Sequence, residues 1–230
     1  MRAESEYRRH SLPVRVTHWI NAVALILLLM SGLQIFNAHP SLYWGKSSYS
    51  GAGPILDLGD GFPSWLTIGQ WLAMGRRWHF FFAWILVVNG AAYLAHSFGT
   101  RHIARELAPT RSDWRSVGRS IADHLHLRHP QGEAAKHYNV LQKLSYVAVI
   151  FVLLPLIVLT GWSMSPWLDS LWPGWVDVFG GRQSARTLHF VVAWLLVLFF
   201  LIHVFEVIAT GFWNNLRSMI TGRYRTRSDA

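Results

Sequence analysis

Twelve of the 230 residues are histidine and none is cysteine. The missing thiol excludes disulfides, thiolate zinc sites, iron–sulfur clusters, cysteine nucleophiles and haem held by thioether bonds. Imidazole is then the most versatile metal-binding and proton-carrying group available. Four histidines, His18, His79, His189 and His203, stand at matched depths inside long apolar runs, and His96 lies at the end of one of them. An ionisable side chain is costly in such a setting and marks a candidate functional position. His189 and His203 are fourteen residues apart. On an α-helix that is a rise of about 21 Å and a turn about 40° short of four full turns. They therefore share one helix face, one near each end.

The runs that carry them are long enough to define the fold. Residues 16–36, 78–98 and 144–164 hold no Asp, Glu, Lys or Arg, and 187–212 holds only Glu206. A bilayer core of about 30 Å takes about 20 helical residues to cross. The expected fold is all-α: an integral membrane four-helix bundle, one membrane domain over 1–230, with short interfacial helices in its loops. Composition agrees, with 52% hydrophobic and 14% charged residues, 13 Trp and 13 Phe. A soluble domain carries about 25% charged residues. The first run has the charged flank of a signal peptide. Its apolar core is long and no small-x-small cleavage site follows, so it reads as an uncleaved span.

The net charge of +9 suggests nucleic acid at first sight. Its distribution argues against that. With both termini on one side, that side carries sixteen Lys and Arg in the N-terminal tail, the 101–143 region and the C-terminal tail, and the opposite side carries five. By the positive-inside rule both termini are cytoplasmic, and the charge orients the chain and attracts anionic lipid. The first outer loop, 37–77, is long and aromatic, and Ser64–Met74 reads as a short interfacial helix. In the inner loop Trp114, Val117, Ile121 and Leu125 line one helical face with arginines opposite, which suggests a cytoplasmic interfacial helix.

Successive spans run in opposite directions. His18 on the first is then level with His203 on the fourth, and His79 on the second is level with His189. Two imidazoles facing each other across a bundle can clamp a planar macrocycle, so the expectation is two b-type haems, each with bis-His ligation. Ser31-Gly32 and Thr160-Gly161 lie near the outer pair, where small residues let a flat ring approach. Arg76, Arg77, Arg182 and Arg186 stand where outer propionates would emerge, or snorkel as topology charges. His96 competes with His18 as inner ligand but is turned about 100° from the His79 face, so His18 is preferred. The loop and tail histidines are given no ligand role. Other chemistries stay open: a zinc site, although each level offers two histidines and the nearest carboxylate is Glu206, or a haem-free His-dependent proton or metal transporter.

Three elements carry a family resemblance: Arg15-Val16-Thr17-His18-Trp19; the stretch YNVLQKLSYVAVIFVLLPLIVLTG from Tyr138 to Gly161; and His189 with His203 at the x13 spacing, with His79 in an Arg-x-His setting on the second span. Over roughly residues 10–215 the chain resembles the bacterial cytochrome b561 group. That group includes the b-type cytochrome subunits of nickel–iron hydrogenase, formate dehydrogenase and thiosulfate reductase. The resemblance implies a dihaem four-helix cytochrome of the bacterial inner membrane. It would pass electrons between a periplasmic oxidoreductase subunit, of molybdoenzyme or hydrogenase type, and membrane quinone. The long aromatic outer loop departs from the pattern and leaves the partner's identity open. A quinone site is expected beside the inner pair, with Asn21, Tyr138, Asn139, Gln142, Lys143 and Glu206 as candidates. The alternatives there are an arginine partner for Glu206 and a snorkelling role for Lys143. A free-standing quinone-linked oxidase of a small oxidant such as superoxide is the rival redox reading.

Overall fold

The computed structural model describes residues 4–48, 53–125 and 139–227. Among them four helical stretches are long and apolar enough to cross a membrane: α1 (Leu12–Asn37), α2 (Leu72–Gly99), Val140–Ser163, and α7 (Arg182–Ala209). Each begins four to six residues before the charge-free run that announces it. The extra first turns carry Arg15, Arg76, Arg77, Lys143, Arg182 and Arg186. Long cationic side chains tolerate such positions because the head can reach outward while the stem packs. α7 stops at Ala209, short of the expected 212, and Gly211 at φ 110 turns the chain into α8 (Phe212–Thr221).

The third stretch is not uniform. α4 (Val140–Ala148) passes through a π-helical turn at Val149–Leu153 into α5 (Leu154–Ser163). Pro155 sits in the first turn of α5. It has no N–H for the Phe151 carbonyl and its ring crowds that group, so the helix widens one turn earlier. Asn139 and Gln142 start α4 as a capping box: Asn139 Oδ1 accepts from Leu141 N–H at 3.4 Å and Gln142 Oε1 from Asn139 N–H at 3.2 Å.

The chain forms two compact units. One comprises Met1–Trp19, Ala91–Phe151 and Leu198–Ala230. In it, β1 (Glu4–Arg8) and β4 (Arg223–Arg227) pair antiparallel with Tyr7 opposite Tyr224. Glu6 takes Arg217 at 2.5 Å and Arg223 at 3.4 Å. Trp19 Nε1 donates to the Met219 carbonyl at 3.1 Å and Arg15 donates to that of Ile220. The inner-loop helix is present as α3 (Arg111–Leu125), with Trp114 exposed. Its start is tied to α4: Asp113 Oδ2 accepts from Thr110 N–H and Thr110 Oγ1–H, both at 2.8 Å, and from Lys143 Nζ at 2.9 Å.

The second unit comprises Ile20–Gly90 and Val152–Val197. Its first loop, with the two-residue strands β2 (Ser41–Leu42) and β3 (Leu56–Asp57), is fastened to the start of α7. The Gly45 carbonyl accepts from Gln183 N–H at 3.0 Å and Ser184 N–H at 3.2 Å, while Ser184 Oγ accepts from Gly45 N–H at 2.8 Å. These are amide groups a helix N-terminus leaves without internal partners. Leu42 and Tyr43 are buried there. The interfacial helix expected over Ser64–Met74 does not form. Only Ser64–Leu66 makes a 3₁₀ turn, and helix resumes at Leu72. Gly69 at φ 109 and Gln70 at φ 60 lie between them in left-handed conformations no helix admits. A short helix α6 (Pro166–Leu171) and a 3₁₀ turn at Trp175–Phe179 complete the other loop.

The Thr110 amide first, and then Lys143, hold the Asp113 carboxyl below the usual carboxylate range. A depressed folded pKa stabilises above the unfolded value and loses that contribution as pH falls through the folded one. Asp113→Ala should therefore cost about 1 kcal/mol in thermal unfolding of detergent-purified protein at pH 7. The difference from the native chain should shrink below the ordinary carboxylate pKa, and Lys143→Met should couple to it in a double-mutant cycle.

Candidate functional site

The second unit brings His79 of α2 and His189 of α7 together, with ring centroids 6.1 Å apart and planes at 64°. Each ring is seated on a neighbouring helix by the same parts. His79 Nδ1 lies 3.1 Å from Ser31 Oγ and 3.2 Å from the Leu28 carbonyl. The Ser31 hydroxyl directs its one hydrogen to the carbonyls one turn back, Leu27 at 2.6 Å and Leu28 at 3.2 Å. His189 Nδ1 lies 3.0 Å from Thr160 Oγ1, and the Ile157 carbonyl accepts from the same ring. Thr160 in turn donates to Leu156 at 2.7 Å. A hydroxyl has one hydrogen, and here it is committed backwards. Each hydroxyl oxygen must then accept, so each Nδ1 carries the proton and Nε2 keeps the lone pair.

The following glycines complete the seats. A Cβ on Gly32 would stand 3.4 Å from His79 Cε1, and one on Gly161 would stand 3.2 Å from His189 Cε1. Their smallness admits the imidazoles themselves. Ser31 and Thr160 are fully buried.

The first unit brings His18 of α1 and His203 of α7 together, with centroids 6.2 Å apart and planes at 56°. His18, and not His96, is the ring that meets His203. Trp19 stands edge-on to His18 at 5.2 Å. Phe199 stacks on His203 at 5.8 Å and Tyr146 meets it edge-on at 6.3 Å. His18 Nδ1 is buried with no hydrogen-bond partner among the described residues. His10, just before α1, is pushed down to about 4, first by burial and then by the charges of Arg9, His18, His102 and Arg15.

Two metal–imidazole bonds of about 2 Å, with about 1.1 Å from each nitrogen to its ring centre, put the centroids about 6.2 Å apart across one ion. Both pairs fit that span. Among the described residues no group of three or more His, Asp or Glu is placed to hold a metal. Two imidazoles at this separation would fit as the protein ligands of a haem iron.

The other sequence candidates are placed as follows. Arg186 donates to the carbonyls of Ser41, at 2.7 Å, and His39, and lies over Phe36 at 5.3 Å. It clamps the first loop of its unit. Arg76, Arg77 and Arg182 are exposed. Asn21 Oδ1 accepts from Asn89 Nδ2 at 2.7 Å, a link between α1 and α2. Asn139, Gln142 and Lys143 make the cap and ion pair described above. Glu206 is half-buried on α7, three residues past His203. Tyr138 lies outside the described residues. The sequence reading overlooked Asn89, Tyr146 and Phe199. Asn89 was the one with a signal, as an amide inside a charge-free run.

Arg186→Met should free the first loop. Hydrogen exchange at the Gly45, Ile55 and Leu58 amides, which are bonded within or from that loop, should quicken about tenfold, the equivalent of one charge-assisted hydrogen bond. Unchanged exchange there would rule out the clamp.

A family model described as prokaryotic cytochrome b561 matches residues 9–222. The "Putative protein-methionine-sulfoxide reductase subunit YedZ1" of Azospira oryzae is 29% identical over 198 residues, covering 86% of this chain and 89% of that protein. The "Probable Ni/Fe-hydrogenase B-type cytochrome subunit" of Cupriavidus necator is 25% identical over 235 residues, covering 96% and 87%. The protein of the same name from Azotobacter vinelandii is 23% identical over 234 residues, covering 96% and 88%. With a matched span that includes both imidazole pairs and four helices able to cross a membrane, the chain belongs to the prokaryotic cytochrome b561 family, bacterial multi-pass b-type cytochromes with an electron-transfer role.

Proposed function

We propose that the chain is the membrane-anchor cytochrome of an oxidoreductase and carries electrons across the inner membrane between a periplasmic redox partner and quinone. His79/His189 and His18/His203 are the axial ligands of two b haems. The observation that carries this reading is the pair of imidazole separations, 6.1 and 6.2 Å. A b haem clamped by two imidazoles is a six-coordinate one-electron carrier. The protein's part is to orient each Nε2, to exclude water and to shape the route. Trp19, Phe199 and Tyr146 pack the His18/His203 rings from the side. Gly32 and Gly161 let α1 and α5 press against the other two. Family membership argues against a haem-free transporter.

The pairing of β1 with β4 supports termini on a common side, and the sixteen-to-five charge bias supports the cytoplasmic one. Quinone then exchanges near His18/His203. Quinol oxidation releases protons with electrons, so a carboxylate beside that pair is useful, and Glu206 suits the role by position. Asn21, Asn139, Gln142 and Lys143, held in the helix link, cap and ion pair described above, are the other candidates. Arg76 and Arg77 are the exposed candidates for propionates of the other haem, a role Arg186 cannot share while it clamps the loop. The names of the relatives favour a catalytic subunit of reductase or hydrogenase type, and the greater identity to YedZ1 favours the reductase.

A reduced-minus-oxidised spectrum with haem extraction tests this. Two b haems per chain are expected. His203→Ala and His79→Ala should each leave one, and His96→Ala should leave both. Purified protein without a b-type band, or a His203 variant that keeps both haems, would overturn the reading.

A further inference from the structure

We propose that Ser31 and Thr160 are positioning residues that strengthen His79 and His189 as ligands and make theirs the lower-potential haem of the two. The inference rests on the reading of those histidines as axial ligands. The hydroxyl hydrogens point back to Leu27 and Leu156. Each Nδ1–H then faces a hydroxyl oxygen, Ser31 Oγ for His79 and Thr160 Oγ1 for His189, and a main-chain carbonyl also accepts from each ring, Leu28 for His79 and Ile157 for His189. A polarised Nδ1–H shifts charge toward Nε2, makes it a stronger donor and favours the ferric state over the ferrous.

Serine and threonine in apolar helices commonly bond the carbonyl one turn back without further purpose. That habit does not explain why both hydroxyls also face an imidazole. Nor does it explain why a glycine follows each, with the same imidazole carbon against it. The arrangement occurs twice, on α1 and on α5, in fully buried positions. The other pair is built differently: His18 Nδ1 is buried and has no hydrogen-bond partner among the described residues. One of its two ligands lacks the reinforcement that both of the others have.

The test is a potentiometric titration of both haems in the purified holoprotein and in Ser31→Ala, Thr160→Val and the double variant. Each is paired with a variant that keeps the hydroxyl, Ser31→Thr or Thr160→Ser. The expected result is two haems retained and the midpoint of the lower one raised. The shift should be about tenfold in its ferrous/ferric equilibrium for the double variant, about 59 mV for one electron, and smaller for each single. The second midpoint should stay fixed, and the hydroxyl-retaining variants should behave as the native chain. Unchanged midpoints with both haems bound would overturn the proposal. So would a shift confined to the haem that His203→Ala removes, or loss of haem from each single variant, which would make the hydroxyls purely structural. Failure of the underlying ligand reading would look different: His79→Ala and His189→Ala would keep both haems.

Discussion

An imidazole inside an apolar helix has an N–H that must find an acceptor, because the surroundings offer no water to take it. In the second unit that requirement is met from outside the histidine's own helix, by carbonyls and hydroxyls of α1 and α5. Helix carbonyls are normally occupied by the ladder. A carbonyl oxygen has two lone pairs and can accept a second time, as Leu28 does from His79 at 3.2 Å, and the contact is close because glycines follow. Packing, tautomer and ring orientation thus follow from one constraint.

The other unit orients its imidazoles with rings. Phe199 stacks on His203, Trp19 and Tyr146 approach edge-on, and these contacts orient the rings. Aromatic pairs at such distances are worth about 0.5–1.5 kcal/mol each beyond their buried area. They are strong enough to orient a side chain and do not polarise its nitrogen. Two histidine pairs of nearly equal separation are therefore chemically unlike, and the difference lies in what stands behind each ring.

The four histidines were legible in the sequence because ionisable groups inside charge-free runs are rare, and the helix period alone aligned His189 with His203. Helix starts were less legible, since a window free of charge stops at the first arginine while the helix does not. Asn139, Gln142 and Lys143 were noticed for the right reason, as polar groups at a helix entrance. The N-x-x-Q spacing of a capping box accounts for two of them, and the Asp113 carboxylate, thirty residues earlier, for the third. Gly69-Gln70 carried the signal that breaks the expected Ser64–Met74 helix. Pro155 likewise announced the π-helical turn. The β1–β4 pairing had no local signal: five charged and polar residues at each end of a chain gain a partner only through tertiary context.

That ribbon bears on how the protein is made. The unit holding His18 and His203 is assembled from three separate stretches of chain, and its closing strand is Arg223–Arg227. The unit holding His79 and His189 needs nothing beyond Val197. Synthesis runs from the N-terminus, and contacts of high sequence separation form late. One histidine pair can therefore be framed while the chain is still growing. The other draws His18 and His203 from stretches far apart in sequence and is completed later.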